Sequence, residues 1–319
     1  MKIREIKKLS KGDTFEGHYA ITDTSLRKSK NGKDFLACKL VDATGEIQAK
    51  VWDFIGKVPS SGEVWKTTCQ YSPFAGRPQV VIRNRKVVPV EEVDKSLMID
   101  SLTPEQFRLY NNRLESLIKR IKNDGLRFLV DSIVHKVYPE YLTCTGAKSN
   151  HHARIGGLLQ HSVDVTTMAL GMAEAYRDMP KYEMINFDML IAGGLLHDLG
   201  KIREYTDESN TLEFTFEGSL LRSYNTSPQY LIMAWKDLGE PVPYESLLGI
   251  IHIMVTHHGP ELSAVPPSTI TAWLIHGADL ADCFAEAVAD KISEGTDERG
   301  VAIEKAWIIK NKIVDERKL

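Results

Sequence analysis

Apolar and polar side chains alternate in two early stretches, Phe35-Leu36-Ala37-Cys38-Lys39-Leu40-Val41 and Glu46-Ile47-Gln48-Ala49-Lys50-Val51-Trp52. That period of two predicts strands with one face buried. Turn formers punctuate them, Lys30-Asn31-Gly32-Lys33 before the first and Asp42-Ala43-Thr44-Gly45 between the two. Val64-Trp65-Lys66-Thr67 and Val80-Val81-Ile82 add two further strands. Several short strands separated by turns predict a small antiparallel barrel over residues 1–90.

The pattern changes near residue 101. Thr103-Pro104-Glu105-Gln106 has the form of a helix start, with Thr103 as N-cap, Pro104 in the first turn and Gln106 closing a capping box. Residues 91–102 are then a linker, and helices are expected over 103–319, interrupted at Pro180, Pro228, Pro241-Val242-Pro243 and Pro266-Pro267. The charged segment 310–319 reads as a helix end or a frayed terminus. The expected fold class is therefore multidomain α and β, an N-terminal antiparallel barrel followed by an all-α domain.

Composition agrees with two domains: 319 residues at 43% hydrophobic content can bury two cores. No stretch is long and apolar enough to span a bilayer, and residues 1–10 lack the apolar run of a signal peptide. Cys38, Cys69, Cys144 and Cys283 show no CxxC spacing, against a zinc ribbon or a disulfide framework, so a reduced cytoplasmic protein is expected. The net charge of −3 conceals an asymmetry. Residues 1–90 hold 17 Lys+Arg against 9 Asp+Glu, and the remainder holds 23 against 34. The basic first part is the one suited to polyanions, although ordinary surface variation gives the same balance.

The helical part carries the chemistry. Leu158, His161, Val165, Met168 and Met172 recur at spacings of three and four, which puts His161 on an apolar face. A lone histidine there is more often a core residue than a ligand. Its company changes this. The run Leu190 to Leu196 ends in His197-Asp198, the run Ile250 to Thr256 ends in His257-His258, and His276-Gly277-Ala278-Asp279 places an acid in an Ala/Leu-rich helix. Gly193 and Gly194 would let a second helix approach closely, and Gly200 offers a stop. Four apolar segments that each deliver His or Asp to a buried face are hard to explain by packing, because buried charges need partners. A divalent cation meets that need. Mixed imidazole and carboxylate ligation suits Mn²⁺, Fe²⁺, Zn²⁺, Co²⁺ or Ni²⁺, and spacing does not choose among them.

At these residues the chain resembles the HD superfamily of phosphohydrolases, whose ligand order is H…HD…D, matched by His161, His197-Asp198 and Asp279. The resemblance implies that these four hold a metal ion that activates a water for attack on phosphorus. A wider resemblance, to the YhaM-type 3′-5′ exoribonucleases, joins an OB-fold to an HD domain. It rests on residues 30–36, 40–45 and 49–53, on Ala147-Lys148-Ser149-Asn150-His151-His152-Ala153, on Thr256-His257-His258-Gly259 and on Asp279-Leu280-Ala281-Asp282. It implies one divalent transition-metal ion, Mn²⁺ by preference, and a second only in part. Where the family runs from Glu-Gly to a Gly-His pair whose His helps hold the second ion, this chain continues into Arg222-Ser223. His257, and with it His258, is then left to assist the scissile phosphate or a weak second ion, and Arg222 to stand against a phosphate in its place. Lys201 is either a further phosphate contact or a lysine favoured by a helix C-terminus, and His151 and His152, where the family lines its cavity, are either substrate-phosphate contacts or helix caps. A one-metal enzyme, an altered substrate and weakened catalysis all stay open.

For the barrel, the expected partner is single-stranded RNA or DNA, held by stacking and charge. Phe35 and Phe74, beside turn signals, are the expected surface aromatics, and Lys30, Lys33, Arg77 and Arg83 the expected cations. The rival readings are an HD hydrolase of free nucleotides and a nucleic-acid-binding regulator with a structural metal. Self-association into a homo-oligomer is left open.

Overall fold

The computed structural model describes residues 1–6, 8–29, 31–148, 152–206, 210–302, 309 and 311–318. Contacts divide them into two units, Met1–Ser101 with Thr206–Glu213, and Leu102–Tyr205 with Phe214–Leu319.

The first unit begins with a short helix α1 (Ile3–Ile6) and continues with β1 (Thr14–Lys28), β2 (Asp34–Asp42), β3 (Gly45–Trp52), β4 (Glu63–Tyr71) and β5 (Gln79–Val87). They close a barrel in the order β1-β2-β3-β5-β4, with β1 returning to β4. This is the OB arrangement. One pairing departs from the expected antiparallel set: β3 and β5 run parallel, Gln48 opposite Gln79. The 15-residue β1, which no clean alternation announced, pairs with both neighbours because its register shifts between Thr22 and Ser25, where Asp23 has φ 50°. Such a bulge bends one strand around a barrel corner. Tyr19, Ile21, Leu36, Leu40 and Trp65 fill the interior with Ile3 and Ile6. Asp42, itself buried, ties α1 to the β2–β3 turn, accepting from Ile3 N at 2.8 Å and from Thr44 N at 2.7 Å. The expected linker, residues 91–102, follows on a 3₁₀ turn at Val90–Glu92, holds a second at Lys95–Leu97 and buries Met98 and Ile99.

The second unit comprises α2 (Pro104–Arg120), α3 (Asp124–Ser132), α4 (Gly157–Glu174), α5 (Phe187–Leu196), α6 (Phe216–Leu221), α7 (Ser223–Asp237), α8 (Tyr244–Thr256) and α9 (Ile270–Glu294). Two-residue strands β6 (Tyr205–Thr206) and β7 (Glu213–Phe214) pair with each other. The capping box at Thr103 forms in both directions, Gln106 N to Thr103 Oγ1 at 3.2 Å and Thr103 N to Gln106 Oε1 at 2.9 Å. Pro228 does not break the chain as expected but lies inside α7. Helix α4 packs against α5 and α9, and α5 against α8. The glycine pair explains how closely. A Cβ at Gly193 would stand 2.3 Å from Ile253 Cδ1, and one at Gly194 would stand 2.5 Å from Thr166 Oγ1. These two positions bring α8 and α4 to α5, and with them the ends that carry the histidines.

Away from that junction, α9 carries Asp290, whose carboxyl is pushed up to about 6 by burial and by Glu286. Its folded value lies above the ordinary 3.8, so its charged form destabilises the fold. That penalty is absent below the ordinary value, grows as pH rises through about 6, and is complete above it. With allowance for the partial exposure of the group, Asp290→Asn is expected to add about 1 kcal/mol at pH 7.5 and nothing at pH 3.5, as read by urea unfolding at the two pH values.

Candidate functional site

Four elements converge on one buried cluster. His161 comes from the second turn of α4, His197 and Asp198 follow the last residue of α5, His257 follows the last residue of α8, and Asp279 lies in α9. All five are at most 8% exposed.

The two helix-end histidines use the same device. His197 Nδ1 donates to Gly194 O at 2.7 Å, and His257 Nδ1 donates to Met254 O at 2.7 Å. A carbonyl only accepts, so the proton sits on Nδ1 and the lone pair on Nε2. In each case an otherwise unpaired helix-end carbonyl fixes the tautomer and aim of the ring. Burial holds both rings below the ordinary histidine pKa, which keeps them neutral. Asp198 leaves the helix at φ −106°, ψ 21°, in the bridge region. It thereby reaches the same point as His197, although neighbouring side chains on a helix diverge.

His161 is fixed by a carboxylate. Its Nδ1 donates to Asp282 Oδ2 at 2.7 Å, so its Nε2 also faces the cluster. The two imidazole Nε2 atoms of His161 and His197 stand 3.2 Å apart. With both Nδ1 positions protonated, two lone pairs meet there, and a proton or a cation must lie between them. Asp279 Oδ1 is 3.2 Å from His161 Nε2, and Asp198 Oδ2 is 3.5 Å from both Nε2 atoms. Ligand atoms bound about 2.1 Å from one ion in tetrahedral or octahedral arrangement are themselves about 3.0–3.4 Å apart. The spacing fits one cation.

The charges fit as well. Burial opposes ionisation of Asp198 and Asp279, but Lys201 and the histidines around the first, and His161 beside the second, hold both carboxyls below the usual range. At His161 burial opposes the charge, yet Asp198, Asp279 and Asp282 outweigh it and raise its pKa well above the ordinary value. Against these three carboxylates Lys201 supplies one ammonium, its Nζ 2.8 Å from Asp198 Oδ2 and also bonded to Gly146 O. With neutral imidazoles two negative charges remain, the charge a divalent ion cancels. Beyond this group, Asp198 Oδ1 and His257 Nε2 are buried 3.7 Å apart without a hydrogen bond, a second pair of facing acceptors.

The remaining expected residues fall as follows. His258 is exposed and stacks on His257 with ring centroids 4.0 Å apart. Lys201 is drawn inward to Asp198. Arg222 caps α7 at φ 61°, its guanidinium 3.9 Å from the Phe214 ring and 3.8 Å from Glu204 Oε1. Ser223 is buried and its N–H donates to Glu204 Oε2 at 3.0 Å. His152 does not line an open cavity: it is 1% exposed, and its Nε2 lies 2.7 Å from Asp282 Oδ2. His151 lies outside the described residues. Of the secondary histidines, His276 Nδ1 donates to His257 O at 2.6 Å, supporting the chain behind that ligand.

Asp282 is the residue that sequence reasoning passed over as a site member. Its signal was the three-residue step from Asp279, which puts both carboxylates on one face of α9. It joins His152 to His161 and sets the aim of His161. Asp282→Asn is expected to weaken divalent-ion affinity about 10–100-fold while leaving the fold intact. Isothermal titration of the metal-stripped protein with Mn²⁺ measures this, and an unchanged affinity would show that Asp282 does not orient His161.

On the barrel, the expected surface aromatic Phe35 lies on the outer face of β2, opposite Trp52, but is only 9% exposed because the Trp52 ring and the Lys50 side chain lie against it. The exposed ring is its cross-strand partner Trp52, 44% exposed with centroids 4.9 Å apart. Phe74 is exposed as expected, at 68%. Lys50 Nζ, also unforeseen, lies 5.6 Å from the Phe35 and Trp52 rings and 5.2 Å from Phe74. Lys33 pairs with Asp53 at 3.3 Å, Arg83 donates to Gln70 at 2.6 Å, and Arg77 bridges to Phe74. Lys30 lies outside the described residues. Among the described residues no helix is long and apolar enough to cross a membrane.

Residues 158–282 match the family model of the HD domain. Over 279 residues the chain is 29% identical to the 3′-5′ exoribonuclease YhaM of Oceanobacillus iheyensis, an alignment covering 85% of this chain and 84% of that protein. It is 28% identical to the protein of the same name from Bacillus subtilis over 85% of each chain, and 28% identical to that from Listeria welshimeri over 89% of this chain and 90% of the relative.

Proposed function

We propose that this chain, an HD-domain protein of the YhaM type, is a metal-dependent cytoplasmic 3′-5′ exonuclease of single-stranded RNA, with DNA as a second substrate. The observation that carries the hydrolytic reading is the pair of imidazole lone pairs facing each other at 3.2 Å amid an excess of buried carboxylate. His161, His197, Asp198 and Asp279 hold one divalent cation, Mn²⁺ by preference. When bound, the cation supplies Lewis-acid polarisation of a phosphoryl oxygen and lowers the pKa of a water.

The chain's own groups do the rest. Lys201 holds Asp198 in place and balances part of its charge. The neutral Nε2 of His257 takes a proton from the attacking water. Arg222 meets a non-bridging phosphate oxygen. On the barrel, Trp52 and Phe74 stack bases while Lys50 faces the backbone phosphates. The 3′ polarity and the preference for RNA rest on the names of the relatives.

The test uses 5′-labelled and 3′-labelled single-stranded RNA and DNA with Mn²⁺. A ladder shortened from the 3′ end supports the proposal, and turnover of free nucleotides alone would sink it in favour of a nucleotide hydrolase. Ser223→His, in the same assay, is expected to change turnover little, since Ser223 is buried against Glu204; a large gain would mean that a second ion had been restored. On the barrel, Trp52→Ala is expected to weaken binding of a 12-nucleotide RNA about 5–100-fold, and Trp52→Phe to keep most of it. Fluorescence anisotropy reads both, and equal affinity for all three proteins would remove Trp52 from the binding face.

A further inference from the structure

We infer that the outer face of β1, β4 and β5 is a second track on the barrel, which takes the phosphates of an RNA strand beyond the nucleotides stacked on Trp52 and Phe74. The inference deepens the proposed function and rests on it.

The first observation is a row of cations. His18 stands opposite Lys66 in the antiparallel pairing, and Lys66 stands opposite Lys86. Directly opposed residues point to the same side of a sheet, and all three are exposed. Two ammonium groups side by side repel, so the sheet carries this pair at a cost that an anion between them removes. Among the described residues no carboxylate pairs with either lysine. The aromatic side of the barrel differs. There Lys33 pairs with Asp53 at 3.3 Å, and Lys39 bridges Asp23 and Glu46 at 2.8 Å each. A cleft of about 180 Å³ lies along the row, and Lys66, Arg85 and Lys86 share its wall with one carboxylate, Glu16. Glu16 is itself engaged, accepting from Thr68 Oγ1 at 3.1 Å.

The second is how the lysines come to face each other. β5 carries a bulge: Thr68 pairs with Asn84 and Cys69 with Ile82, so Arg83 is inserted between them. Side chains alternate along a regular strand, and without the insertion Lys86 would share the inward side of the buried Ile82. The extra residue reverses that parity. It turns Lys86 out beside Lys66 and leaves Arg83 and Asn84, both exposed, as consecutive outward residues. Closing a barrel is reason enough for a bulge, but it gives no reason for setting a lysine opposite a lysine.

The third is continuity with the stacking face. Phe74 and Arg77 close the β4–β5 turn through reciprocal backbone hydrogen bonds of 3.0 Å, and Phe74 lies beside Lys50 of β3. A strand leaving these rings meets β5 at Gln79 and passes Arg83, whose guanidinium is held on the outer face by Gln70 Oε1 at 2.6 Å. Lys86 and Lys66 follow, roughly 24 Å from the turn at about 3.4 Å per residue. Only an oligonucleotide longer than the aromatic site reaches them.

The experiment measures binding of fluorescein-labelled, phosphorothioate-linked RNAs of about 5 and about 20 nucleotides to the full-length protein as a function of salt. Variants are Lys66→Gln with Lys86→Gln, Trp52→Ala, and Lys119→Gln with Lys122→Gln, which removes the same charge from exposed positions of the helical unit. The Lys66/Lys86 double variant is expected to bind the longer RNA about 5–20-fold more weakly. Its slope of log affinity against log salt should fall by about 1.4, the loss of two phosphate contacts. Its affinity for the shorter RNA should match wild type, whereas Trp52→Ala should weaken both lengths. Thermal unfolding excludes a structural cause: the double variant loses a repulsion and should melt no lower than wild type. A longer RNA bound with wild-type affinity and slope by the double variant would overturn the track, and so would an equal loss for both lengths. Either result, with Trp52→Ala still weakened, leaves the proposed function standing. If the full-length protein neither binds nor cleaves RNA, the track falls together with that function.

Discussion

Asp198→Asn is expected to lower strand hydrolysis at least about 10³-fold at every Mn²⁺ concentration. Its two oxygens meet four side chains of the cluster. Its Oδ2 lies 3.5 Å from the facing Nε2 atoms of His161 and His197 and 2.8 Å from Lys201 Nζ, while its Oδ1 faces His257 Nε2 at 3.7 Å. The amide keeps the shape, and it leaves Lys201 a carbonyl to donate to. It removes a ligand charge and, if the nitrogen turns inward, sets a donor against the cation. Alanine is the poorer choice, because Lys201 would be left buried and unpaired, at about 3–5 kcal/mol. The measurements are single-turnover RNA cleavage and bound metal per chain, with circular dichroism to show that the fold persists. Asp282→Asn provides the contrast. Its carboxylate acts on His161 from behind, so excess Mn²⁺ should restore its activity and should not restore that of Asp198→Asn. Wild-type cleavage by Asp198→Asn would remove the cluster from the chemistry altogether.

Stripping the metal is expected to lower the melting temperature by about 10 °C. A ligand present at a thousand times its Kd stabilises a fold by about 4 kcal/mol, and each kcal/mol moves the midpoint of a unit of this size by about 2–4 °C. The structural cause is the set of repulsions that the cation removes: lone pairs of His161 and His197 facing at 3.2 Å, three buried carboxylates against one lysine, and the unpaired Asp198 Oδ1 and His257 Nε2. Proton uptake at His161 meets part of this demand in the metal-free protein, which is why the protein should remain folded. Differential scanning calorimetry before and after chelation, then after return of Mn²⁺, measures the effect. Coincident curves would mean that the cluster is satisfied by protons alone.

Much of the site was readable along the chain, for a physical reason. A histidine or aspartate at the end of an apolar helical run is conspicuous because burying it demands a partner, so His161, His197-Asp198, His257 and Asp279 stood out singly and made sense together. Capping at Thr103 was readable because its partners lie within one turn. Strands β2 and β3 were readable because each buries one face. Strand β1 was not, since it bulges at Asp23 and changes partners along its length. Pro228 misled because a proline can be absorbed within a helix when neighbouring packing outweighs the missing hydrogen bond.

The sequence alone, then, determined which buried His and Asp residues need partners and on which helices they ride, because local periodicity decides which face is buried. Only the tertiary structure decided the assignments that depend on distance between segments. It placed Asp282 behind His161 and took His152 out of the expected cavity by pairing it with the same carboxylate. It laid the exposed Trp52 ring over Phe35 on the outer face of the barrel, because strand pairing decides which residues stand opposite each other. It also held Arg222 in a left-handed conformation against Phe214. A ring's tautomer, a carboxylate's second partner and a strained backbone angle are each set by atoms far away in the chain, and no local pattern encodes them.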